Sequence, residues 1–169
     1  MAKGLQKKIE KRKETLFFLI KLLLLSIPLY IVMWFCDLSF LQGVVTKTIF
    51  YFLKLAGASV KMEGFALLFK DFFFMISKDC TGWKGMMFLG ALILSTKASW
   101  RKRLAGLSVG VPAFFSFNLL RILIMVWIGL KDKTMFFMLH DILWQFSMVA
   151  VVILLWIMWI KMGVDNEKK

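Results

Sequence analysis

The sequence predicts an all-α, multi-pass membrane protein with about four transmembrane helices and a small extracellular insertion. Hydrophobic residues make up 60% of the 169 residues, and the mean hydropathy is +0.77. A soluble domain of this length has too little interior to bury so much apolar surface. The 23 basic residues, against 10 acidic ones, fall mostly in short runs beside apolar stretches, as in membrane topology signals. We therefore expect residues 1–169 to form a single integral membrane domain.

The same inventory argues against several classes of partner and cofactor. The positive charge comes with no nucleic-acid motif, so we expect no nucleic-acid partner. The two cysteines, Cys36 and Cys80, match neither a metal-binding spacing nor a disulfide framework. They could pair with each other, although small oxidised domains usually contain denser cysteine. We expect neither a metal nor an organic cofactor.

The first element is a basic segment followed by an apolar run over residues 16–35. Lys21 and Pro28 interrupt the run, and its twenty residues are enough to cross ~30 Å of hydrocarbon. A cleaved signal peptide is the alternative. The run is long for one and lacks a small-residue cleavage site, so we interpret it as an uncleaved helix with its N-terminus inside.

The stretch from residue 37 to residue 79 is predicted to be an extracellular segment. Val44–Ala58 has a helical pattern and could either span the membrane or lie in its surface as an amphipathic helix. Phe65–Phe69 and Phe72–Ile76 are apolar runs too short to span as helices. We predict that they are small strands, with a turn at Gly64.

Three further spans are predicted over residues 82–99, 104–130 and 141–160. A basic loop, Lys97–Arg103, separates the first two, and a polar break at 131–134 precedes the last. The residues 135–139 are interpreted as a short apolar lead-in to that final helix.

Orientation follows from the basic residues in the short loops and termini. The N-terminal segment carries six, the loop 97–103 carries four and the C-terminal tail carries three. All three belong inside if four helices span and residues 37–79 stay outside. A single crossing by 44–58 would turn the basic loop outward, whereas a hairpin of two crossings would preserve the arrangement.

Three polar residues, Cys80, Arg121 and His140, are predicted to lie at one depth near the outer face. Cys80 and His140 each precede a helix that runs from outside to inside. Arg121 comes 17 residues after Leu104, a rise of roughly 26 Å along the helix. Asn118 lies one turn below Arg121 on the same helix face.

Each of these residues has a structural alternative. An arginine near a helix end can extend to the headgroups, a buried cysteine is often a small apolar residue, and an asparagine can join helices. A lone histidine is often a passive surface residue. The common depth favours a site instead, because ionisable groups inside spans are usually functional. A helix N-terminus and a nearby cation both favour a Cys80 thiolate, and Cys36 has no such setting.

The sequence Cys80-Thr81-Gly82 at the start of one helix, Asn118-x-x-Arg121 on the next and His140 at the last resembles the exosortase/archaeosortase family. The resemblance covers about residue 60 to the C-terminus. Members are multi-pass membrane transpeptidases that cut a C-terminal sorting signal from surface proteins. That signal consists of a short motif, a hydrophobic helix and a basic tail. Many members have several helices before this core, where the present chain has one.

The resemblance implies catalytic roles for Cys80, Arg121 and His140, with Asn118 in support. Cys80 would attack the scissile carbonyl and form a thioester, Arg121 would stabilise the oxyanion, and His140 would transfer protons. The partners implied are sorting-signal proteins and a membrane lipid or glycan acceptor. Two rival functions stay open. One is a protease that only hydrolyses; the other is a non-enzymatic small membrane transporter or assembly factor in which Arg121 and His140 line a polar path.

Overall fold

The computed structural model describes residues 2–70 and 72–164. Within these ranges, side chains are not described at 2–5, 7, 8, 11, 32, 33, 133, 137–145, 163 and 164. The helices are α1 (Ala2–Phe35), α2 (Ser39–Leu55), α3 (Trp83–Ser95), α4 (Trp100–Lys131) and α5 (Lys133–Trp159). The strands are β1 (Lys61–Glu63), β2 (Ala66–Leu68) and β3 (Phe73–Met75), followed by a 3₁₀ turn at Lys78–Thr81. A π-helical turn, Ile160–Val164, continues α5.

Two of the helices, α1 and α4, are long and apolar enough to cross a membrane in the part of the chain described. The helix α3 has 13 residues, a length of roughly 20 Å, and is shorter than the predicted span 82–99. The described apolar part of α5, Phe146–Met162, is also below the length of a full span. The mostly helical chain with two such helices is consistent with an all-α membrane protein, and its division into four spans remains a prediction.

Helices α1, α3, α4 and α5 form a bundle around α3, which contacts the other three. Its core contains residues from α3, α4 and α5: Leu89, Leu92, Ile93, Phe114 and Val152. Glycine permits close helix approach at two crossings, because a Cβ at Gly85 would overlap the Phe114 ring and one at Gly106 would overlap the Trp159 indole. None of the apolar residues of α1 between Arg12 and Ile31 is fully buried. This helix therefore lies against α3 with most of its surface facing outward.

A second layer, made of α2 and the sheet, covers the end of the bundle that carries Cys80. The sheet is antiparallel in the order β1-β2-β3, and Gly64 occupies the β1–β2 turn with φ +58°. The two predicted strands are therefore part of a three-stranded sheet, because residues 61–63, before Gly64, also pair with β2. The layer shares a core with α4: Val45, Ile49, Leu67, Phe74, Ile76, Ile122 and Val126.

Helix α2 begins at residue 39, five residues before the predicted start at Val44. The Asp37 carboxylate accepts hydrogen bonds from the Ser39 backbone N–H at 2.9 Å and its hydroxyl at 2.8 Å, which fixes the first turn. One face of α2 is buried, and Gln42 Nε2 on that face donates to the Ile76 carbonyl at 3.1 Å. This helix is not among those long and apolar enough to span.

Helix α5 begins at Lys133, eight residues before the predicted start of the last span. The polar break is a single residue between helices, Asp132. Its carboxylate accepts from the N–H groups of Thr134 at 2.8 Å and Met135 at 3.1 Å. An aspartate that satisfies the first free N–H groups is a strong helix N-cap. The predicted lead-in 135–139 is consequently helical.

Candidate active site

Cys80 lies in the 3₁₀ turn between β3 and α3, and its side chain is only 3% exposed. Its backbone N–H donates to the Ser77 carbonyl at 3.0 Å. The Ser77 hydroxyl shares a hydrogen bond with the Cys80 sulfur at 3.3 Å. The turn thus holds the Cys80 thiol in hydrogen-bond contact with a hydroxyl three residues before it.

Asn118 of α4 binds the backbone of the cysteine turn. It is fully buried, and its Nδ2 donates to the Cys80 carbonyl at 2.8 Å. Its Oδ1 has no hydrogen-bond partner among the described residues. The amide therefore fixes Cys80 through the main chain and retains one buried acceptor.

Gly82 connects the cysteine turn to α3 and lies directly against Asn118. Its φ of +77° falls in the left-handed region, which residues other than glycine rarely adopt. A Cβ there would also lie 3.0 Å from Asn118 Cγ. Both the backbone conformation and the short distance to Asn118 require glycine at this position. The glycine of the Cys-Thr-Gly motif therefore packs directly against Asn118.

Arg121 follows Asn118 by one turn of α4 and is partly buried. An electrostatic interaction joins its guanidinium to Cys80. Arg121 is ten residues from the end of α4 at Lys131, or roughly 15 Å, so it does not lie at the mouth of the helix. The layer of α2 and sheet packs beside this last part of α4. The structure thus brings Cys80, Asn118 and Arg121 together.

His140 lies in α5, seven residues after the helix begins at Lys133. It is therefore about two turns inside the helix. The sequence had predicted a position at the N-terminus of the helix. Its side chain lies outside the described part of the structure. Its role beside Cys80 stays a prediction.

Ser77 and Gly82 contribute to the site in ways that the sequence reasoning missed. The serine is three residues before Cys80, a spacing that in a single helical turn brings two side chains together. Thr81 is fully buried, and its hydroxyl donates to the Lys78 carbonyl at 2.7 Å. Asp79, next to Cys80 in the sequence, forms an exposed ion pair with Lys84 at 2.8 Å.

No group of three or more His, Cys, Asp or Glu residues that could hold a metal occurs in the described part of the chain. Both cysteines are free thiols, Cys36 exposed and Cys80 buried. The chemistry offered by the described side chains is therefore that of a single thiol next to a hydroxyl, an amide and a cation.

A family model described as transmembrane exosortase matches residues 10–157. The chain belongs to the transmembrane exosortase family. The match runs from α1 to near the end of α5, so it contains Cys80, Asn118, Arg121 and His140, and it confirms the resemblance found from the motifs. Exosortase membership assigns the chain, at the level of the family, to membrane transpeptidases with cysteine-protease-like chemistry. Neither the curated proteins nor the solved structures gave a significant match.

Proposed function

We propose that this exosortase cleaves the C-terminal sorting signal of surface proteins and transfers them to a lipid or glycan acceptor. The observation that carries the proposal is the grouping of Cys80 with Asn118 and Arg121. The Cys80 carbonyl is bound by Asn118 Nδ2 at 2.8 Å, and the Arg121 cation lies near enough to Cys80 to interact with it electrostatically. A packing cysteine needs neither neighbour, whereas a cysteine nucleophile needs a fixed position and a nearby positive charge.

In the proposed reaction, the Cys80 thiolate attacks the scissile carbonyl and forms a tetrahedral oxyanion. Arg121 stabilises that negative charge, which a preorganised cation does best where water is excluded. The oxyanion collapses to a Cys80 thioester, and the leaving amine takes a proton from His140. An acceptor amine or hydroxyl then gives its proton to His140 and attacks the thioester, which returns the thiolate. Water in place of the acceptor gives hydrolysis.

Burial of Cys80 adds a condition to this mechanism. At 3% exposure the sulfur cannot meet a peptide carbonyl unless neighbouring groups separate. The covering layer is α2 with the sheet, and within it Gln42 of α2 donates to the carbonyl of Ile76, four residues before Cys80. We propose that the substrate's hydrophobic helix docks laterally against the bundle and opens this layer. A thiol covered until then is protected from side reactions with water and oxidants.

We also propose that both termini are cytoplasmic and that Cys80 acts at the extracellular face. Glu14 of α1 pairs with Lys97 at 3.3 Å, so the N-terminal basic segment and the loop 97–103 lie at one end of the bundle. Cys80 lies at the opposite end of α3. An inside position for the basic end follows from the distribution of lysine and arginine in membrane proteins.

The test is processing of a tagged surface protein that ends in a short motif, a hydrophobic helix and a basic tail. We expect membranes with the wild-type chain to shorten it, and Cys80→Ala to abolish the product. Arg121→Ala should slow processing by roughly 10²–10³-fold, as for loss of one oxyanion donor. Cys36→Ala, which removes the exposed thiol, is the matched control and should retain activity.

The product distinguishes the rival functions. A mass increase from a lipid or glycan on the new C-terminus supports transfer, and a free carboxylate indicates a protease that only hydrolyses. Full function of Cys80→Ser together with loss of function in Arg121→Ala would contradict the proposal and favour a transporter or assembly factor.

A further inference from the structure

A cavity of about 700 Å³ lies at the basic end of the bundle, opposite Cys80. It is open to the outside and is bordered by α1, the end of α3, the loop into α4, the start of α4 and the last turns of α5. Its wall contains Lys13, Glu14, Thr15, Phe17, Phe18, Lys21, Ser95, Thr96, Lys97, Arg103 and Trp156. None of these residues takes part in the proposed reaction.

The wall of the cavity has an excess of positive charge, which suits an anionic ligand. Four cationic side chains face one carboxylate, that of Glu14, which is already paired with Lys97 at 3.3 Å. Arg103 is held in place by two hydrogen bonds from Nε and Nη2 to the Thr96 carbonyl, at 3.2 and 3.0 Å. These bonds use two of its five N–H donors. The same excess of positive charge disfavours the basic tail of a sorting signal here.

A buried hydroxyl points to a ligand independently of the charge. Ser95 lines the cavity and is only 6% exposed. Its Oγ has no hydrogen-bond partner among the described residues. Buried polar groups without partners are rare and destabilising, so a ligand oxygen in the cavity would satisfy this hydroxyl.

The aromatic part of the wall favours a lipid over a soluble anion. The rings of Phe18 and Trp156 stack at a centroid distance of 5.9 Å, and Phe17 is 70% exposed beside them on α1. Cations next to an outward-facing apolar surface match a phosphate headgroup with an acyl chain below it. Basic pockets between transmembrane helices on the cytoplasmic side bind such headgroups.

We propose that this cavity binds the phosphate group of an anionic membrane phospholipid. Lys13, Lys21 and Arg103 contact the phosphate, Ser95 donates to one of its oxygens, and an acyl chain lies along Phe17 and Phe18. The bound lipid joins α1 to the rest of the bundle at the end remote from Cys80.

The test is lipid binding to the full chain purified in detergent, followed by native mass spectrometry and thermal unfolding. Phosphatidylglycerol should bind and raise Tm, phosphatidylcholine should do so much less, and inorganic phosphate in lipid-free micelles should have no effect. Lys13→Gln with Lys21→Gln should weaken phosphatidylglycerol binding roughly tenfold or more, given the effect of each lysine near an anionic surface. Lys47→Gln with Lys61→Gln removes the same charge from exposed sites on α2 and β1 and should leave binding unchanged.

Ser95→Ala provides a second variant that tests the site if the lysine pair fails to fold. It should leave the Tm of the lipid-free protein unchanged or slightly higher, and should weaken phosphatidylglycerol binding severalfold. Equal stabilisation by phosphatidylcholine and phosphatidylglycerol would overturn the proposal, as would unchanged phosphatidylglycerol binding in the variants. Stabilisation by inorganic phosphate alone would overturn the lipid assignment in favour of a soluble phosphate.

Discussion

Gly82 couples the cysteine turn to Asn118, and its substitution tests how much the site depends on that fit. Gly82→Ala incurs the left-handed penalty of about 1–2 kcal/mol and also places a Cβ 3.0 Å from Asn118 Cγ. We expect a lower Tm and loss of most processing, because the Asn118–Cys80 bond must shift. Thermal unfolding in detergent and substrate processing measure the two effects.

Gly57 offers a matched control for the conformational penalty of alanine at a positive φ. Its φ of +81° resembles that of Gly82, but a Cβ there meets nothing within 4 Å. Gly57→Ala should therefore lower Tm by the conformational penalty alone and leave processing intact. If Gly82→Ala and Gly57→Ala change Tm and processing equally, the contact between Gly82 and Asn118 does not contribute to function.

At the residue scale, counting along the helices predicts depth but not rotation about a helix axis. Counting placed Cys80, Arg121 and His140 at one depth, with Asn118 one turn below Arg121; in the structure Asn118 binds the Cys80 carbonyl, Arg121 lies near Cys80, and the common depth stays a prediction. The fit of Gly82 against Asn118 depends on how α4 is rotated relative to the cysteine turn. Counting contains no information about that rotation. The Ser77–Cys80 contact arises from the 3₁₀ turn, which sequence periodicity does not reveal.

Among the elements, α3 packs tightly against α4 at Gly85. A Cβ at this position would overlap the Phe114 ring, so Gly85→Ala forces the helices apart. Overpacking of this kind costs typically about 1–3 kcal/mol, more than the helix propensity that alanine gains. We expect a clearly lower Tm of the purified protein in detergent.

Gly90 lies in the same helix and serves as the comparison. A Cβ there would lie 3.8 Å from a Leu107 methyl, an ordinary contact. Gly90→Ala should therefore keep or raise Tm. An equal loss of stability in both variants would show that α3 tolerates no alanine for a reason other than the Phe114 contact.

The start of α2 depends on an ionised carboxylate. The hydrogen bonds from the Ser39 N–H and hydroxyl, together with Lys78, lower the pKa of Asp37 from its ordinary value. The stabilising contribution is therefore present above the ordinary pKa of 3.8 and is lost as pH falls through the lower folded-state pKa. We therefore expect the first turn of α2 to lose protection against hydrogen exchange, measured relative to the intrinsic exchange rate at each pH, as the pH falls below the ordinary pKa of 3.8.

Asp37→Asn should remove this pH dependence, because the amide keeps an acceptor oxygen but has no charge to lose. Glu63→Gln neutralises an exposed carboxylate on β1 and should leave the acid-dependent change intact. Acid-dependent exchange that persists unchanged in Asp37→Asn would assign it to another group.

The elements themselves were partly predictable. Apolar run lengths gave the helical character of α1, α4 and α5, and the short runs after Gly64 gave strands. The start of α5 was missed because the charged residues around Asp132 were interpreted as a break. Asp132 is instead an N-cap, with Thr134 and Met135 donating to it. An aspartate directly before an apolar helical run is a known start signal, and it would have moved the helix start to the correct position.

On the scale of the whole molecule, the chain has two chemically different ends. One carries the basic loop, the Glu14–Lys97 ion pair and the cavity lined by four basic side chains. The other carries Cys80 and the layer of α2 and sheet. Composition predicted this polarity, because basic runs flank apolar ones. The covering of Cys80 could not be predicted, since it depends on how residues 37–79 fold back on α4.

The two ends give a direct test of orientation in intact cells. Cys36 is exposed after α1, near the Cys80 end, so a membrane-impermeant thiol reagent should label it in the Cys80→Ala variant without permeabilisation. Ser99, exposed in the basic loop, should be labelled as Ser99→Cys, in a background lacking both native cysteines, only after the membrane is opened. In the wild-type chain Cys80 should react more slowly than Cys36, because the residue is only 3% exposed.

Labelling of Ser99→Cys in intact cells would reverse the orientation, since the basic loop and Cys80 lie at opposite ends of α3. Such a result would put the proposed reaction on the cytoplasmic side, where an acceptor on the outer surface could not reach the thioester.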